Sequence, residues 1–301
     1  MLLSVILGNI SPVFAKLILQ SGWTPVQMYF VALLMMCVIL LVHRLMLMGR
    51  GSKWDMTRED IMGTVIAAIF GGTVGPLLFF QGLTMVSASD SIILSGLLPF
   101  FVVIMAVMML GEHFTPRLLA GGALLVGSMV TLQWEEIATF TMSSGVPLIV
   151  ASTLCSAFTV IAHKKFVKNR HIDSVILVRT LISTTLVFCW MLLSDSGEFE
   201  FLAHPQNVWL VLALPVITFL IPYFLYYRAL MGLTASDAGV MEALGRVIGI
   251  AAAATLLHET LGMEHLFSLI LATVGVIVIN VPLTHWRIAP SRASALQPLH
   301  K

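Results

Sequence analysis

Two ionisable residues, Glu242 and Arg246, lie four residues apart within the apolar run 236–257. In a helix this spacing places both side chains on one face, and the order with Glu first is the favoured one for an ion pair. Such a pair has two uses. Either it neutralises itself and locks the helix to its neighbours, or it faces a cavity where Arg246 receives an anionic group and Glu242 a cationic group or a proton. We favour the cavity, because a buried ion pair seldom stabilises a fold more than an apolar pair does.

Charged residues are scarce in this chain, so the position of each one is informative. The chain has 301 residues, of which 58% are hydrophobic and 10% are charged, with a mean hydropathy of +0.99. A soluble domain carries about a quarter charged residues. This composition therefore excludes a soluble enzyme, a nucleic-acid binder and a disordered chain, and it leaves a polytopic membrane protein. The formal net charge of +1 gives no reason to expect a polyanionic partner.

Apolar runs of the length needed to cross a hydrocarbon core of about 30 Å recur along the chain. We predict an all-α integral membrane protein with ten spans and a retained first span that is not a cleaved signal peptide. Short connections make neighbouring helices antiparallel. The predicted spans are residues 2–20, 25–47, 61–84, 89–110, 115–133, 145–166, 173–193, 207–230, 236–257 and 262–284.

Depth within these spans marks the polar residues that could serve a substrate. Arg246 is ten residues beyond Ser236, which corresponds to about 15 Å along the helix and places it near the bilayer midplane. A charged residue at this depth usually faces a bundle interior or an aqueous cavity. Arg179 is six residues into its span, so an anchoring role at the membrane face and a cavity role stay equally open.

Three further polar candidates lie in the first, third and eighth spans. Asn9 precedes Pro12, and Gln81 follows the segment GGTVGP; Pro and Gly here allow a helix to bend or gate, or else to pack closely on a neighbour. Tyr227 ends the run YFLYY, which fits an interfacial aromatic belt or ring stacking inside a cavity.

Four acidic residues at span ends are interpreted as structural. Asp90 and Asp237 each follow a Ser at the opening of a helix, where short polar side chains cap free backbone N–H groups. Glu112 and Glu259 close the same helices and would repel the negative end of the helix dipole. We therefore expect Glu112 and Glu259 to have partners in an interfacial network, and Arg117 and His113 lie near the first of them.

Basic residues predict the orientation, because cytoplasmic loops collect Lys and Arg. With the N-terminus inside, thirteen of the 16 Lys and Arg residues fall on the cytoplasmic side, and Lys16 alone lies toward the outside. We therefore predict a multi-pass protein of the cell inner membrane with both termini cytoplasmic. Residues 286–301 form a cytoplasmic tail in this prediction.

An internal repeat is visible at an offset of 147 residues. This offset superposes the scarce residues Ser89, Asp90 and Glu112 on Ser236, Asp237 and Glu259 without a gap. Five spans in each half is an odd number, so the second half enters the membrane from the opposite side. The sequence therefore predicts two inverted five-helix repeats, residues 1–140 and 141–285, an architecture that recurs in secondary transporters.

The motif in the fourth span resembles that of the EamA-type members of the drug/metabolite transporter superfamily. It reads ASDSIILSGLLPFFVVIMAVMMLGE, with Pro99 in the helix and Glu112 thirteen residues later. The resemblance extends from Asn9, Pro12 and Lys16 through STLCSAFTVIAHKK to Gly275. It implies a transporter of small molecules, since the family moves amino acids, other metabolites, cofactors and drug-like compounds.

Two departures from the family pattern mark what is particular to this chain. An Arg about six residues into the second helix of a repeat is common in the family; Arg179 matches that position, whereas the second span has Val31. The residue thirteen before Glu259 is Arg246 in place of Pro.

These observations favour a secondary transporter that exports small amphipathic or zwitterionic metabolites by alternating access. Candidate substrate-binding residues are Glu242, Arg246, Arg179, Asn9, Gln81 and Tyr227. Expected partners are a small-molecule substrate and the lipid bilayer, with a proton or another coupling ion and a second copy of the chain as open alternatives; no nucleic acid is expected. No catalytic residue, metal or cofactor is expected. The rival interpretations are an intramembrane enzyme and a non-transporting membrane adaptor.

Overall fold

The computed structural model of the protein describes residues 2–49, 56–111, 116–139, 141, 143–166, 172–193, 212, 216, 221 and 235–280. Across these residues the chain is helical and contains no strand. The predicted span 207–230, Tyr227 within it, and the predicted tail 286–301 lie outside the described helices. The predictions made for them stay predictions.

The helices of the predicted first repeat include two that are interrupted. A π-helical turn, Phe70–Val74, joins α3 to α4, while Gly96 and Leu97 separate α5 from α6. The helices are α1 (Leu2–Gln20), α2 (Pro25–Gly49), α3 (Arg58–Ile69), α4 (Gly75–Met85), α5 (Ala88–Ser95), α6 (Leu98–Leu110), α7 (Pro116–Leu132) and the short α8 (Trp134–Ala138).

The helices described in the predicted second repeat are α9 (Gly145–Phe166), α10 (Ile172–Leu193), α11 (Ala235–Leu256) and α12 (Met263–Asn280). Their bounds follow the predicted runs within a residue or two, apart from the end of α12. The reason is local: an apolar run bounded by polar or Gly-rich segments forms a helix as long as the run.

Six helical stretches in the described part of the chain are long and apolar enough to cross a membrane. They are Leu2–Gln20, Pro25–Met46, Arg58–Met85, Ala88–Leu110, Gly145–Phe166 and Ser174–Leu193. Three shorter apolar helical segments are Pro116–Leu132, Leu244–Leu256 and Met263–Ile279. The prediction of an all-helical membrane protein is therefore confirmed, while the count of ten spans stays a prediction.

Packing brings the two predicted repeats into direct contact. The most extensive helix pairs are α7 with α12, α4 with α9, and α1 with α11, each of which joins the first half of the sequence to the second. In the first pair the backbones approach closely, since a Cβ added at Gly121 would lie 2.9 Å from the Gly275 carbonyl oxygen. Small residues permit such approaches between membrane helices.

Candidate functional site

The π turn Phe70–Val74 is held by side chains from two other helices. Arg179 of α10 donates from Nη2 to the Gly71 carbonyl oxygen at 2.7 Å. Tyr29 of α2 donates its hydroxyl to the Gly72 carbonyl oxygen, also at 2.7 Å. A π turn shifts backbone carbonyls out of the regular helical pattern, and these two donors satisfy the carbonyls in a region where water is scarce.

A second group of contacts fixes the helix just before the turn. Ser183 of α10 is buried and donates its hydroxyl to the Ala68 carbonyl oxygen at 3.2 Å. Thr73, within the turn itself, donates to the same oxygen at 2.9 Å. A Cβ added at Gly72 would collide with the Ser183 hydroxyl. Gly72 is therefore the residue that allows α10 to approach the turn.

These contacts bear on the role of Arg179. Its side chain is half-buried, and the contact described for it is with backbone of the predicted first repeat. That arrangement supports a role in positioning the π turn. The Arg179 guanidinium therefore lies between α10 and the π turn, within the helix bundle.

Arg246 lies against the second interruption, between α5 and α6. Its side chain is 5% exposed. A Cβ added at Gly96 would lie 3.4 Å from Nη1 of Arg246, so the guanidinium approaches the backbone where the helix is broken. The break has a local cause: Gly96 N–H and Leu97 N–H bond back to Ile93 and Leu94, which tightens the turn, and Pro99 follows.

Asn9 lies where α1 packs on α11, the helix that carries Arg246. A Cβ added at Gly249 would lie 2.6 Å from the Asn9 carbonyl oxygen, and one added at Gly245 would lie 2.7 Å from Asn9 Nδ2. These two glycines flank Arg246 on α11. The half-buried Asn9 side chain itself donates to the Val5 carbonyl oxygen of its own helix at 2.9 Å. The structure thus places Asn9 in the contact between α1 and α11, while the Arg246 side chain of α11 lies against Gly96, between α5 and α6.

Among the other predicted site residues, Gln81 is fully within the described part of the chain. Gln81 is exposed on α4, and its backbone carbonyl accepts from the Thr84 hydroxyl at 2.7 Å. Glu242 belongs to α11, one turn before Arg246, and its side chain lies outside the described atoms. Tyr227 lies outside the described residues.

The start of α5 is bound by an acidic residue from the predicted second repeat. Glu259, which follows α11, accepts from the backbone N–H groups of Ala88 and Ser89 at 2.6 and 3.0 Å. Its Oε2 also accepts from the Ser89 hydroxyl at 2.6 Å. An acidic group is favourable at a helix N-terminus, where the free N–H groups point. The expectation that Glu259 has a partner in a network is confirmed, whereas Glu112 lies outside the described residues.

Lys16 binds the end of the helix just before α5. Its Nζ donates to the carbonyl oxygens of Leu83 and Val86 at 2.6 and 2.7 Å. A cation is favourable at a helix C-terminus, where the carbonyls are free. The turn between α4 and α5 is therefore bound at both ends. Lys16 binds the free carbonyls at the end of α4, and Glu259 binds the free N–H groups at the start of α5.

The predicted capping role of Asp90 needs a correction. Ser87 is the residue that caps α5, because its hydroxyl accepts from the Asp90 N–H at 2.9 Å. The Asp90 carboxylate instead pairs with His265 of α12, with Oδ1 and Nε2 3.1 Å apart. Asp90 is the third residue of α5 and lies three positions beyond Ser87, the capping residue. We call Lys16, Asp90, Glu259 and His265 the α5 cluster.

Comparison with known proteins now decides the family. The model of the EamA-like transporter family matches residues 1–133 and 143–281, which is nearly the whole chain. The chain belongs to the EamA-like transporter family. This family is part of the drug/metabolite transporter superfamily, and the resemblance inferred from the fourth-span motif is confirmed. EamA-like proteins are membrane transporters and not enzymes.

A solved structure supports the same fold. A crystal structure described only as that of a protein matches with a TM-score of 0.53 at 14% sequence identity. The match covers 91% of this EamA-family chain and 95% of the solved one. At this identity the likeness shows the fold alone. A search of curated proteins gives no match.

Sequence reasoning missed most of the α5 cluster of this EamA-family protein. Asp90 and His265 are 175 residues apart, and no local pattern joins them. Lys16 had one usable signal, since it is the basic residue that departs from the predicted charge asymmetry. Tyr29 carried no signal, because a Tyr near a span end is typical of an interfacial belt.

Proposed function

We propose that this EamA-family protein is a secondary transporter built from ten membrane helices in two inverted five-helix repeats. Two observations support the repeat. The family model matches two segments of similar length, residues 1–133 and 143–281. Asp90 and Asp237 are each the third residue of a helix, α5 and α11 respectively. Such repeats in transporters place the substrate between them, near the middle of the bilayer.

The substrate class follows from Arg246. A guanidinium that is 5% exposed, about 15 Å along its helix, and adjacent to the break between α5 and α6 is suited to receive a carboxylate. Glu242, one turn earlier on α11, supplies a charge for an ammonium group. The substrate is therefore a small zwitterionic or amphipathic metabolite. The position of the Arg246 guanidinium is the single observation that carries this proposal.

The protein exports its substrate across the inner membrane by alternating access, with both termini cytoplasmic, in this proposal. The support for the orientation is the charge asymmetry of the loops. Reporter fusions at Lys301 and within the loop at Ser196 are expected to report opposite compartments. Reporters on the same side would overturn the ten-span topology without affecting the assignment of the family.

Transport by purified protein in proteoliposomes, across a panel of amino acids and other small metabolites, tests the substrate class. We expect the wild-type protein to move at least one zwitterion. The double variant Glu242→Leu with Arg246→Leu is expected to fold, because no charge is left buried alone, and to lose transport of that compound.

The exposed Arg58 at the start of α3 offers a matched control, since Arg58→Leu removes the same charge far from the α1–α11 contact. This variant is expected to transport normally. Normal transport by the double variant would show that Glu242 and Arg246 form a structural pair, and the candidate site would then move to Arg179, Asn9 and Gln81.

A further inference from the structure

His265, near the start of α12, has a carboxylate at each ring nitrogen. Nε2 lies 3.1 Å from Asp90 Oδ1, and Nδ1 lies 3.1 Å from Glu264 Oε1. The Gly262 N–H also points at Nδ1, at 3.2 Å. The His265 side chain is 14% exposed, whereas that of Glu264 is 50% exposed. The ring is therefore enclosed on the Asp90 side and open to solvent on the Glu264 side.

This geometry satisfies the ring in both of its protonation states. In the neutral ring, Nε2–H donates to Asp90 and Nδ1 accepts from the Gly262 N–H. When Nδ1 takes up a second proton, it no longer accepts from the Gly262 N–H and instead donates to Glu264 Oε1. Histidine is the side chain whose charge normally changes between pH 5 and 8. The ring can therefore take up and release one proton without a change of rotamer.

The remaining charged groups around His265 are already engaged with backbone. Glu259 binds the amides that open α5, and Lys16 binds the carbonyls that close α4. Among the described residues of the elements packed here, Asp90 and Glu264 are the charged groups in contact with the ring, and Glu259 and Lys16 bind the backbone beside Asp90. Three carboxylates and one ammonium leave the surroundings negative, which favours a positive charge on His265.

A cavity gives His265 access to protons. Its volume is about 420 Å³, and it opens between the end of α11 and the start of α12. His265 is the titratable residue among those that line it, and the others are apolar or Gly. They are Ile250, Leu261, Gly262, Met263, Leu266 and Leu269.

We propose that His265, Asp90 and Glu264 form a proton-binding site, and that proton uptake there holds α5 of the first repeat against α12 of the second. This inference rests on the proposed function, since it assigns the proton a regulatory role in the closure that this transport uses. The proton comes from water and bonds to Nδ1, and it leaves by the same route. The charged His265 ring then forms an ion pair with Asp90 that joins the two repeats at one end of the bundle, while Glu264 on the same helix as His265 accepts from Nδ1–H.

The sign of the effect follows from which state binds the proton more tightly. Glu264 stays beside the ring in either state because it precedes His265 on α12, whereas Asp90 of α5 contacts the ring when this end is closed, so the closed end has the higher proton affinity. Low pH therefore favours closure, and high pH favours opening. In the predicted orientation this end faces outside, so a lower pH outside the cell favours closure of the outer end.

The distance between two spin labels measures this closure in the full-length protein in liposomes. Cys37, Cys155 and Cys189 are replaced by Ala, and labels are placed at the exposed residues Thr84 and Met263, one on each repeat. Lowering the pH from about 8 to about 5.5 is expected to raise the ratio of short to long distances about threefold, the effect of one partly exposed ion pair between the repeats.

His265→Gln keeps a donor toward Asp90 but does not titrate, so its distance distribution is expected to be independent of pH. The exposed His258 supplies the matched control, and Asn is the replacement because His258 has a φ of 55°, a conformation that Asn tolerates. His258→Asn should keep the full response. Distances that do not respond to pH in the wild type, or a response that persists in His265→Gln, would overturn the proposal.

Glu264→Gln gives a second test if His265→Gln fails to fold, because Glu264 is half exposed and its replacement leaves the Asp90 pair intact. Its pH response is expected to be weaker, and an unchanged response would count against the site. The distance measurement needs no substrate. Normal transport with distances that ignore pH therefore overturns the proton site alone, whereas a pH response without zwitterion transport supports the site and counts against the proposed substrate class.

Discussion

In the stretch Arg58–Met85 the helix is interrupted by the π turn Phe70–Val74, and in the stretch Ala88–Leu110 it is interrupted at Gly96 and Leu97. An arginine from the second half of the chain approaches each interruption. Arg179 donates directly to the Gly71 carbonyl oxygen, alongside Tyr29 on Gly72. Arg246 instead is buried and lies beside Gly96.

From this difference we infer that two arginines, each beside an interrupted helix, have different uses. At the π turn, donors from α2 and α10 fit the displaced carbonyls, so this interruption is built as a fixed joint. At the break before α6, Gly96 lets the Arg246 guanidinium pack against the interrupted helix, and we propose that this guanidinium serves the substrate. We therefore expect changes at the π turn to affect stability first, and changes at Arg246 to affect transport first.

The largest expected effect is on transport by Arg246→Gln. A desolvated charge that loses its charged partner costs about 2–5 kcal/mol, which corresponds to a loss of about 30-fold or more in transport of the zwitterion found by the panel. Initial rates in proteoliposomes measure the loss, and the apparent Tm is followed in parallel. Arg246→Lys keeps the charge but not the planar fork, and it is expected to retain part of the activity. Equal rates for Arg246→Gln and the wild type would remove the contrast between the two arginines.

A substitution at the π turn should instead lower stability. The Cβ of Gly72→Ala would collide with the Ser183 hydroxyl and lie 3.5 Å from Arg179 Nε. Overpacking of this kind costs about 1–3 kcal/mol, so the apparent Tm of the purified variant is expected to fall by several degrees.

Gly127→Ala on α7 is the control for this glycine, because no atom lies within 4 Å of the added Cβ. It is expected to be neutral or stabilising by up to about 1 kcal/mol, the difference in helix propensity. If the two variants unfold at the same temperature, the π turn tolerates the added methyl group and is not a fixed joint.

The helices themselves could be predicted from the sequence because their bounds are local properties. The predicted runs 2–20 and 145–166 coincide with α1 and α9, since the apolar composition and the flanking residues suffice to define them. The segment GGTVGP likewise predicted a place where a helix could bend, and the π turn occupies its first residues. The number of donors that fix this bend depends on neighbouring helices, which a local pattern does not contain.

The contacts across the two halves could be predicted only where a residue was unfavourable in its own helix. Glu259 at the end of a helix required a partner, and the structure provides one in the amides of Ala88 and Ser89. The identity of that partner was not predictable, because it is backbone 170 residues away. His265 and Asp90 were each acceptable where they stood, so nothing in the sequence indicated their pairing.

A smaller effect is expected for Glu259→Gln, which tests whether the start of α5 is also a fixed joint. The amide keeps one acceptor oxygen, but the negative charge near the helix N-terminus is lost, and the cost is expected to be about 1–2 kcal/mol. The apparent Tm measures it. Glu135→Gln, at an exposed residue of α8, removes the same charge without these contacts and is expected to leave the Tm unchanged. Equal behaviour of the two variants would mean that Glu259 adds nothing to the fold.

The smallest expected effect comes from Tyr29→Phe, which removes one hydroxyl at the π turn. Tyr29 is 5% exposed, and its ring packs on Phe80 with centroids 5.4 Å apart, so Phe keeps the packing and loses the bond to the Gly72 carbonyl oxygen. Hydrogen bonds between membrane helices contribute about 0.6 kcal/mol on average, so the apparent Tm should fall by a degree or two at most. Transport by the folded variant should stay within about twofold of the wild type, because a fixed joint supports the substrate path without touching the substrate. A large loss of transport at an unchanged Tm would place the Tyr29 hydroxyl on that path, and the π turn would then be a second part of the binding site.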